Sequence, residues 1–180
     1  MKFARLLVAC IAVVAMLPAA YPQSHTAKPH TPLSPPAQAT VLLSGKQLTV
    51  KYSAPSMRGR KIFGGLVPYG KVWRTGANAA TTLVTSVNLT MGGTKIPAGT
   101  YTLYTLPNPN RWELIVNRQT GQWGTVYSPS KDLARIPMEL TTLPSPQEKM
   151  SISFENTQGA RTELHIRWDT TDAWIPVQAK

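Results

Sequence analysis

An all-β single domain, an antiparallel sandwich or jelly roll, is what this sequence predicts, and three observations carry the prediction. Apolar and polar residues alternate with a period of two in segment after segment, turn dipeptides such as Ser44-Gly45 and Gly92-Gly93 separate the segments, and sixteen prolines are spread along the chain. Alternation is the mark of a strand with one buried face, glycine pairs supply the positive φ angles of tight hairpins, and proline removes backbone donors that a long helix needs. No stretch of a dozen residues combines helical periodicity with caps.

The strands follow in order. Ala39 to Leu43 precedes the Ser44-Gly45 turn, and Leu48, Val50 and Tyr52 then alternate with Thr49, Lys51 and Ser53, so a hairpin is expected. Val87, Leu89 and Met91 alternate with Asn88 and Thr90, and Gly92-Gly93 turns the chain into Thr94 to Ile96. Gly99 to Leu106 and Trp112 to Asn117 are joined by a turn at Pro107 to Asn110. Further strands are expected at Trp123 to Tyr127, Ile136 to Thr142, Met150 to Phe154 and Thr162 to Trp168; in the last, Leu164, Ile166 and Trp168 share one face, which puts His165 on the solvent face.

The N-terminus predicts export. Lys2 and Arg5 precede the apolar run Leu6 to Met16, which leads through Leu17 and Pro18 to Ala19 and Ala20, the charged start, short apolar body and small-residue exit of a secretory leader. Residues 1–20 are therefore read as a signal peptide, with cleavage near Ala19 to Ser24 and no transmembrane segment in the mature chain. The single cysteine, Cys10, lies inside the leader, where Leu7 to Cys10 superficially resembles a lipoprotein box set too close to Arg5. Without the leader the chain has no cysteine, which removes disulfides, thiolate nucleophiles and thiolate-held metals together. Residues 21–38, rich in proline and carrying His25 and His30, read as a flexible tether, and residues 39–178 as the β domain.

Charge is one-sided. Not one Asp or Glu precedes Glu113, whereas residues 21–112 hold ten Lys and Arg; beyond that point seven basic residues face eight acidic ones. The net positive charge thus sits in the first half, where it attracts anions. In an exported protein the partners this implies are an anionic or glycan-like envelope component or another protein, with no nucleic acid among them.

Catalytic signatures are missing. Gly65 to Lys71 has the spacing of a phosphate-binding loop, but Val72 stands where a hydroxyl would hold magnesium and Pro68 interrupts it. There is no Gly-x-Ser-x-Gly elbow, and His165 has no evident nucleophile partner. A metal site would have to join His165 to a tether histidine, so no cofactor and no metal are expected. The acids, among them Glu113, Asp132, Glu139 and Glu155, are spaced like ordinary surface charges.

What remains is a cluster suited to recognition. Arg58, Arg60, Lys61, Lys71 and Arg74 are interleaved with Tyr69, Trp73, Asn78 and the glycines 64, 65, 70 and 76. Arginine forks pair with carboxylate or phosphate, indole and phenol rings offer flat faces, and glycine lets backbone amides approach an anion. The same residues also suit a structural role, with Trp73 and Tyr69 as core anchors and Arg74 clamping loop carbonyls.

At these positions the chain resembles a known family. The run PSMRGRKIFGGLVPYGKVWRTGANAAT at 55–81, IPAGTYTLYTLP at 96–107, then Trp112, Trp123-Gly124, Tyr127 and Asp132 look like the exported bacterial proteins grouped as DUF2911. The resemblance implies a compact extracytoplasmic β domain and carries over no catalytic residue. The expected function is binding of an anionic or glycan-like ligand, or of a partner protein, by Arg58, Arg60, Lys61, Tyr69, Lys71, Trp73, Arg74 and Asn78. The alternatives are a hydrolase or lyase acting on an acidic carbohydrate or cell-wall fragment, with Glu113 or Asp132 as acid or base, and a purely structural interaction module.

Overall fold

The computed structural model describes residues 32–180. The leader, Cys10, His25, His30 and most of the tether lie outside the described residues.

Nine strands run in chain order as β1 (Pro36–Leu43), β2 (Lys46–Ser53), β3 (Thr81–Thr85), β4 (Leu89–Met91), β5 (Thr94–Ile96), β6 (Gly99–Pro107), β7 (Trp112–Asn117), β8 (Asp132–Gln158) and β9 (Arg161–Ala179). Every pairing between them is antiparallel. The spatial order is β1-β2-β3-β6-β7-β8-β9-β4-β5, a single open nine-stranded sheet in which β8 pairs with β7 over its first part and with β9 over the rest. The all-β antiparallel class is the one the alternation predicts. Among the described residues the only helical element is a three-residue 3-10 turn at Pro129–Lys131, and no helix is long and apolar enough to cross a membrane.

The local signals act as expected at the hairpins. Val50 pairs with Ala39 and Leu48 with Val41 across the Ser44-Gly45 turn. Gly92 and Gly93, at φ 51° and 83°, close the β4–β5 turn, a conformation in which an L side chain is strained. Strand β1 starts at Pro36, inside the stretch read as tether; it pairs only with β2, so proline's missing donor falls on a sheet edge.

Strands β8 and β9 depart most from the sequence reading. Three short strands expected between 136 and 168 are two long ones. Asp132 to Met138 pairs with β7, and β8 continues from Glu139 to Gln158 beside β9. Its register shifts between Thr142 and Gln147, across Pro144 and Pro146, which cannot donate to the ladder; the prolines bulge the strand without ending it. The end of the sheet formed by β1 and β2 meets β8: the Tyr52 hydroxyl accepts from the Ile152 amide at 3.0 Å, and the Met150 amide donates to Pro55 O at 2.9 Å. A hydrophobic core that includes Leu48, Val50, Leu83, Leu103, Leu114 and Ile166 fills the interior.

Two further expectations are corrected. Trp123 to Tyr127 forms no strand: Gly121, Gly124 and Pro129 punctuate it, and it is held by single bonds, Gly124 N to Asn78 O at 3.0 Å and Val126 N to Trp123 O at 2.9 Å. His165 is not on a solvent face; it is 6 % exposed. Its Nδ1 lies 2.9 Å from Asp172 Oδ1 and its Nε2 3.2 Å from Glu163 Oε2, and its ring stacks on Trp174 at 5.7 Å. Arg167 completes the cluster, bonding Glu155 through both forks at 2.5 and 2.8 Å and Asp172 Oδ2 at 2.8 Å. The outer face of the β8–β9 pair is therefore closed by a polar network.

Candidate functional site

The chain leaves the sheet after Ser53 and returns at Thr81, and residues 54–80 run through turns laid along β6. Trp73 and Thr105 exchange both backbone bonds, at 2.8 and 2.9 Å, so this loop occupies the position beside β6 that β3 no longer covers. Thr75 locks it from below, donating to Thr105 Oγ1 at 3.2 Å and accepting at its carbonyl from Thr81 Oγ1 at 2.9 Å. With the backbone fixed in this way, the side chain of Trp73 is directed into an aromatic cluster. It stacks on Trp168 at 5.8 Å between centroids and 20° between planes, and Phe63 meets both rings edge-on. One face of Trp73 is thus taken by the protein, so the indole expected as a ligand platform is half an anchor.

A cleft of about 380 Å³ opens over this cluster, and of the eight candidate residues it brings together Arg60, Trp73 and Arg74. Its wall is apolar at Leu66, Val67 and Val72. Both arginines are tethered at one end. Arg60 Nε donates to Met57 O at 2.9 Å and its Nη2 to Ser56 O at 2.7 Å, while Arg74 Nε donates to Gly76 O at 3.3 Å. That leaves Nη1 of Arg60 and both terminal nitrogens of Arg74 without an acceptor among the described residues, and no carboxylate there comes within ion-pairing distance of either side chain. The loop carrying Gly124 passes directly against Arg74: a Cβ at 124 would stand 2.4 Å from Arg74 Cδ and 2.7 Å from Asn78 O. Only glycine lets the loop and the arginine stem share that space.

The other five candidates lie elsewhere. Arg58 donates from Nη2 to Leu33 O at 2.6 Å, and Asn78 donates from Nδ2 to Ser34 O at 3.3 Å, so both hold the segment before β1. Lys61 and Lys71 are exposed and do not line the cleft. Tyr69, 40 % exposed, borders a separate hollow of about 130 Å³ with Asn108 and Thr141. The turns between these residues reverse the chain, so adjacency in sequence does not become adjacency in space.

Tyr104 and Tyr127 complete the cleft, and neither belongs to the basic stretch that composition singles out. Tyr104 comes from β6 and Tyr127 from the loop after β7, far from the 58–78 stretch; their local signal was their place in the family resemblance, Tyr104 within the run at 96–107 and Tyr127 after Trp123-Gly124. Their hydroxyls are already committed. Tyr104 donates to Val126 O at 2.7 Å, and Tyr127 donates to Asp132 Oδ2 at 2.7 Å while accepting from Arg135 Nη2 at 2.7 Å. Burial, with the bond to the Asp132 carboxylate, pushes the Tyr127 phenol up to about 12, so it keeps its proton at neutral pH. The two carboxylates considered as acid or base are similarly engaged. Asp132 also accepts from Asn117 Nδ2 at 2.8 Å and Arg135 Nε at 3.0 Å, and Glu113 pairs with Arg111 at 2.6 Å. Among the described residues no group of three or more His, Cys, Asp or Glu is placed to hold a metal ion.

No curated protein and no solved structure matches the chain. The family described as "Protein of unknown function (DUF2911)" matches residues 34–177, from just before β1 almost to the end of β9 and across every residue of the cleft. The chain belongs to the DUF2911 family.

Proposed function

We propose that this domain is an exported binding module whose cleft, lined by Arg60, Trp73 and Arg74, takes an anionic or glycan-like component of the bacterial envelope. The observation that carries the reading is the pair of arginines left without acids in a concave, partly apolar site. A tethered guanidinium has lost part of its rotamer freedom before a ligand arrives and keeps a donor face for a carboxylate or phosphate. Hydrolase or lyase action fits less well, because Glu113 and Asp132 are held in ion pairs. Export rests on Lys2, Arg5 and the run from Leu6 to Ala20; N-terminal sequencing of protein recovered from the envelope should begin between Ala20 and Ser24, and an intact Met1 in an integral membrane fraction would contradict it.

The test is a comparison of two single-charge deletions. Arg74→Ala is expected to weaken anion binding by about 1.5–3 kcal/mol, the loss of a charge-assisted hydrogen bond, whereas Lys95→Ala removes only a solvated charge next to the β4–β5 turn and changes little. Equal small losses would leave only a diffuse basic surface. One observation favours the second reading, a structural module: Arg58, Arg60, Arg74 and Asn78 all bond backbone carbonyls. If Arg74→Ala sharply lowered the melting temperature of the ligand-free protein and left anion binding unchanged, that reading would win.

A further inference from the structure

Resting on the proposed anion-binding role, we infer that the cleft is the centre of a membrane-docking surface, which takes the headgroup of an anionic lipid at a bilayer. What sets the source of the anion is the surround of the arginines, not the arginines themselves. Two loops reach the cleft, residues 62–70 through Leu66 and Val67, and residues 119–130 through Gly124, Thr125 and Tyr127. Neither loop contains an Asp, Glu, Lys or Arg. Each carries a tight turn, with Gly64 N donating to Val67 O and Val126 N to Trp123 O, both at 2.9 Å. In the second loop Gln122 turns inward, donating to Thr102 Oγ1 at 3.1 Å and to the Tyr104 hydroxyl at 3.0 Å, while Trp123 and Val126 stand 56 % and 50 % exposed. Leu66, on the first turn, is 47 % exposed. Seven large apolar side chains are exposed among the described residues, and four of them, counting Tyr69, sit on these two loops; such crowding marks an interaction surface, where scattered single residues would not.

Cations stand at the stems of both loops. Lys61 and Lys71 bracket the first, and Arg118 and Lys131 the second, which is closed where the Arg118 amide donates to Lys131 O at 2.9 Å. All four are exposed, and none takes part in an ion pair among the described residues. A bilayer surface is layered in the same order, with an acyl boundary that takes Trp, Tyr and aliphatic side chains and, outside it, anionic headgroups that attract basic residues. A charge-free tip enters the first layer without burying an ion, and the cations at its stem stay in the second. An acidic polysaccharide would pair the cations but leave Leu66, Trp123 and Val126 against water, whereas an anionic bilayer meets both sets. The unpaired guanidinium nitrogens of Arg60 and Arg74, lining the same cleft as the two loops, then hold one headgroup.

Co-sedimentation of the full chain with vesicles of phosphatidylcholine alone, and of phosphatidylcholine mixed equally with phosphatidylglycerol, tests this inference; soluble glycerol 1-phosphate, followed by calorimetry, is the headgroup probe without acyl chains. Any leader left on the chain is common to every variant and to both vesicles. The wild type is expected to prefer the mixed vesicles about tenfold or more, from the cations near the surface. Trp123→Ala and Val126→Ser are each expected to weaken that partition about fivefold or more, with the melting temperature and glycerol 1-phosphate binding unchanged. Arg74→Ala is expected to weaken both kinds of binding. Vesicle partition indifferent to Trp123→Ala and Val126→Ser would overturn the membrane assignment, while glycerol 1-phosphate binding lost in Arg74→Ala would leave the anion-binding cleft standing. A lipid-free protein that sediments as a dimer, and as a monomer in Trp123→Ala, would give the loop tips to a second copy and overturn the assignment as well. Silence toward both vesicles and glycerol 1-phosphate would overturn the two readings together.

Discussion

Trp168→Ala is expected to lower the unfolding free energy by about 4 kcal/mol, the usual cost of emptying a buried aromatic site. For a domain of this size that is a fall of about 8–16 °C in melting temperature. Trp168 is 2 % exposed, stacks on Trp73, meets Phe63 edge-on at 6.3 Å and donates from its indole to Glu148 O at 3.1 Å, so its removal opens a void and leaves that carbonyl only the Met57 amide as a donor. Trp123 is the control, because it is the same residue type at 56 % exposure. Trp123→Ala should stay within about 0.5 kcal/mol of wild type. Thermal melts of the two variants decide the matter; equal losses would mean that the aromatic cluster does not anchor the loop to the sheet.

Arg167→Met should cost about 2 kcal/mol at pH 7, between the value of an exposed pair and that of a fully buried one. The guanidinium binds Glu155 and Asp172, and the carboxylate of Asp172 is almost fully buried, so its loss leaves two acids without the cation they share. The penalty depends on pH, with a definite sign. Burial pushes the Glu155 carboxyl up, but bonds from Arg167 and Ser153 and the neighbouring charges of His165 and Arg167 outweigh it and hold the group below its usual range. A depressed carboxyl contributes stability that is fully present above the ordinary value near about 4.3 and is lost as pH falls through the lowered one. The gap between wild type and variant should therefore be full-sized at pH 7 and close as the solution is taken below about pH 4. Denaturant melts at pH 7 and pH 3 check it, and a gap that widened in acid would contradict the assignment.

The hairpins β1–β2 and β4–β5 were legible because everything that makes them is local: alternation on both sides and a dipeptide able to hold positive φ between them. Strand β3, Thr81 to Thr85, was not read as a strand although three of its five residues are threonine and one is valine, because its partners Leu48 to Lys51 and Gly99 to Leu103 lie far away in sequence. The strand expected at Ile136 to Thr142 stops short of Pro144 and Pro146, whereas β8 absorbs both as a bulge while β9 holds the ladder on either side. His165 read as exposed because alternation assigns one face to solvent; the network of Glu155, Glu163, Arg167 and Asp172 that covers it assembles only when β8 and β9 pair.

The candidate site was legible in part for the same reason. Composition singled out the 58–78 stretch, and Arg60, Trp73 and Arg74 do share a cleft. Nothing local, though, distinguishes Arg60 from Arg58, two residues away: the first turns into the cleft and the second reaches back to Leu33 O. Tyr104, Tyr127 and Trp168 enter the cleft from β6, the loop after β7 and β9, and only the folded chain brings them to it.

The most direct test of the anion-binding cleft is a nitrogen-15 NMR titration of the protein with D-glucuronate, following the arginine Nε and tryptophan indole signals. Saturable shifts confined to Arg60, Arg74 and Trp73, with the Trp123 indole and the amide of Lys95 unmoved, are the expected result. Shifts spread across the basic residues without saturation, or centred away from this cleft, would contradict it.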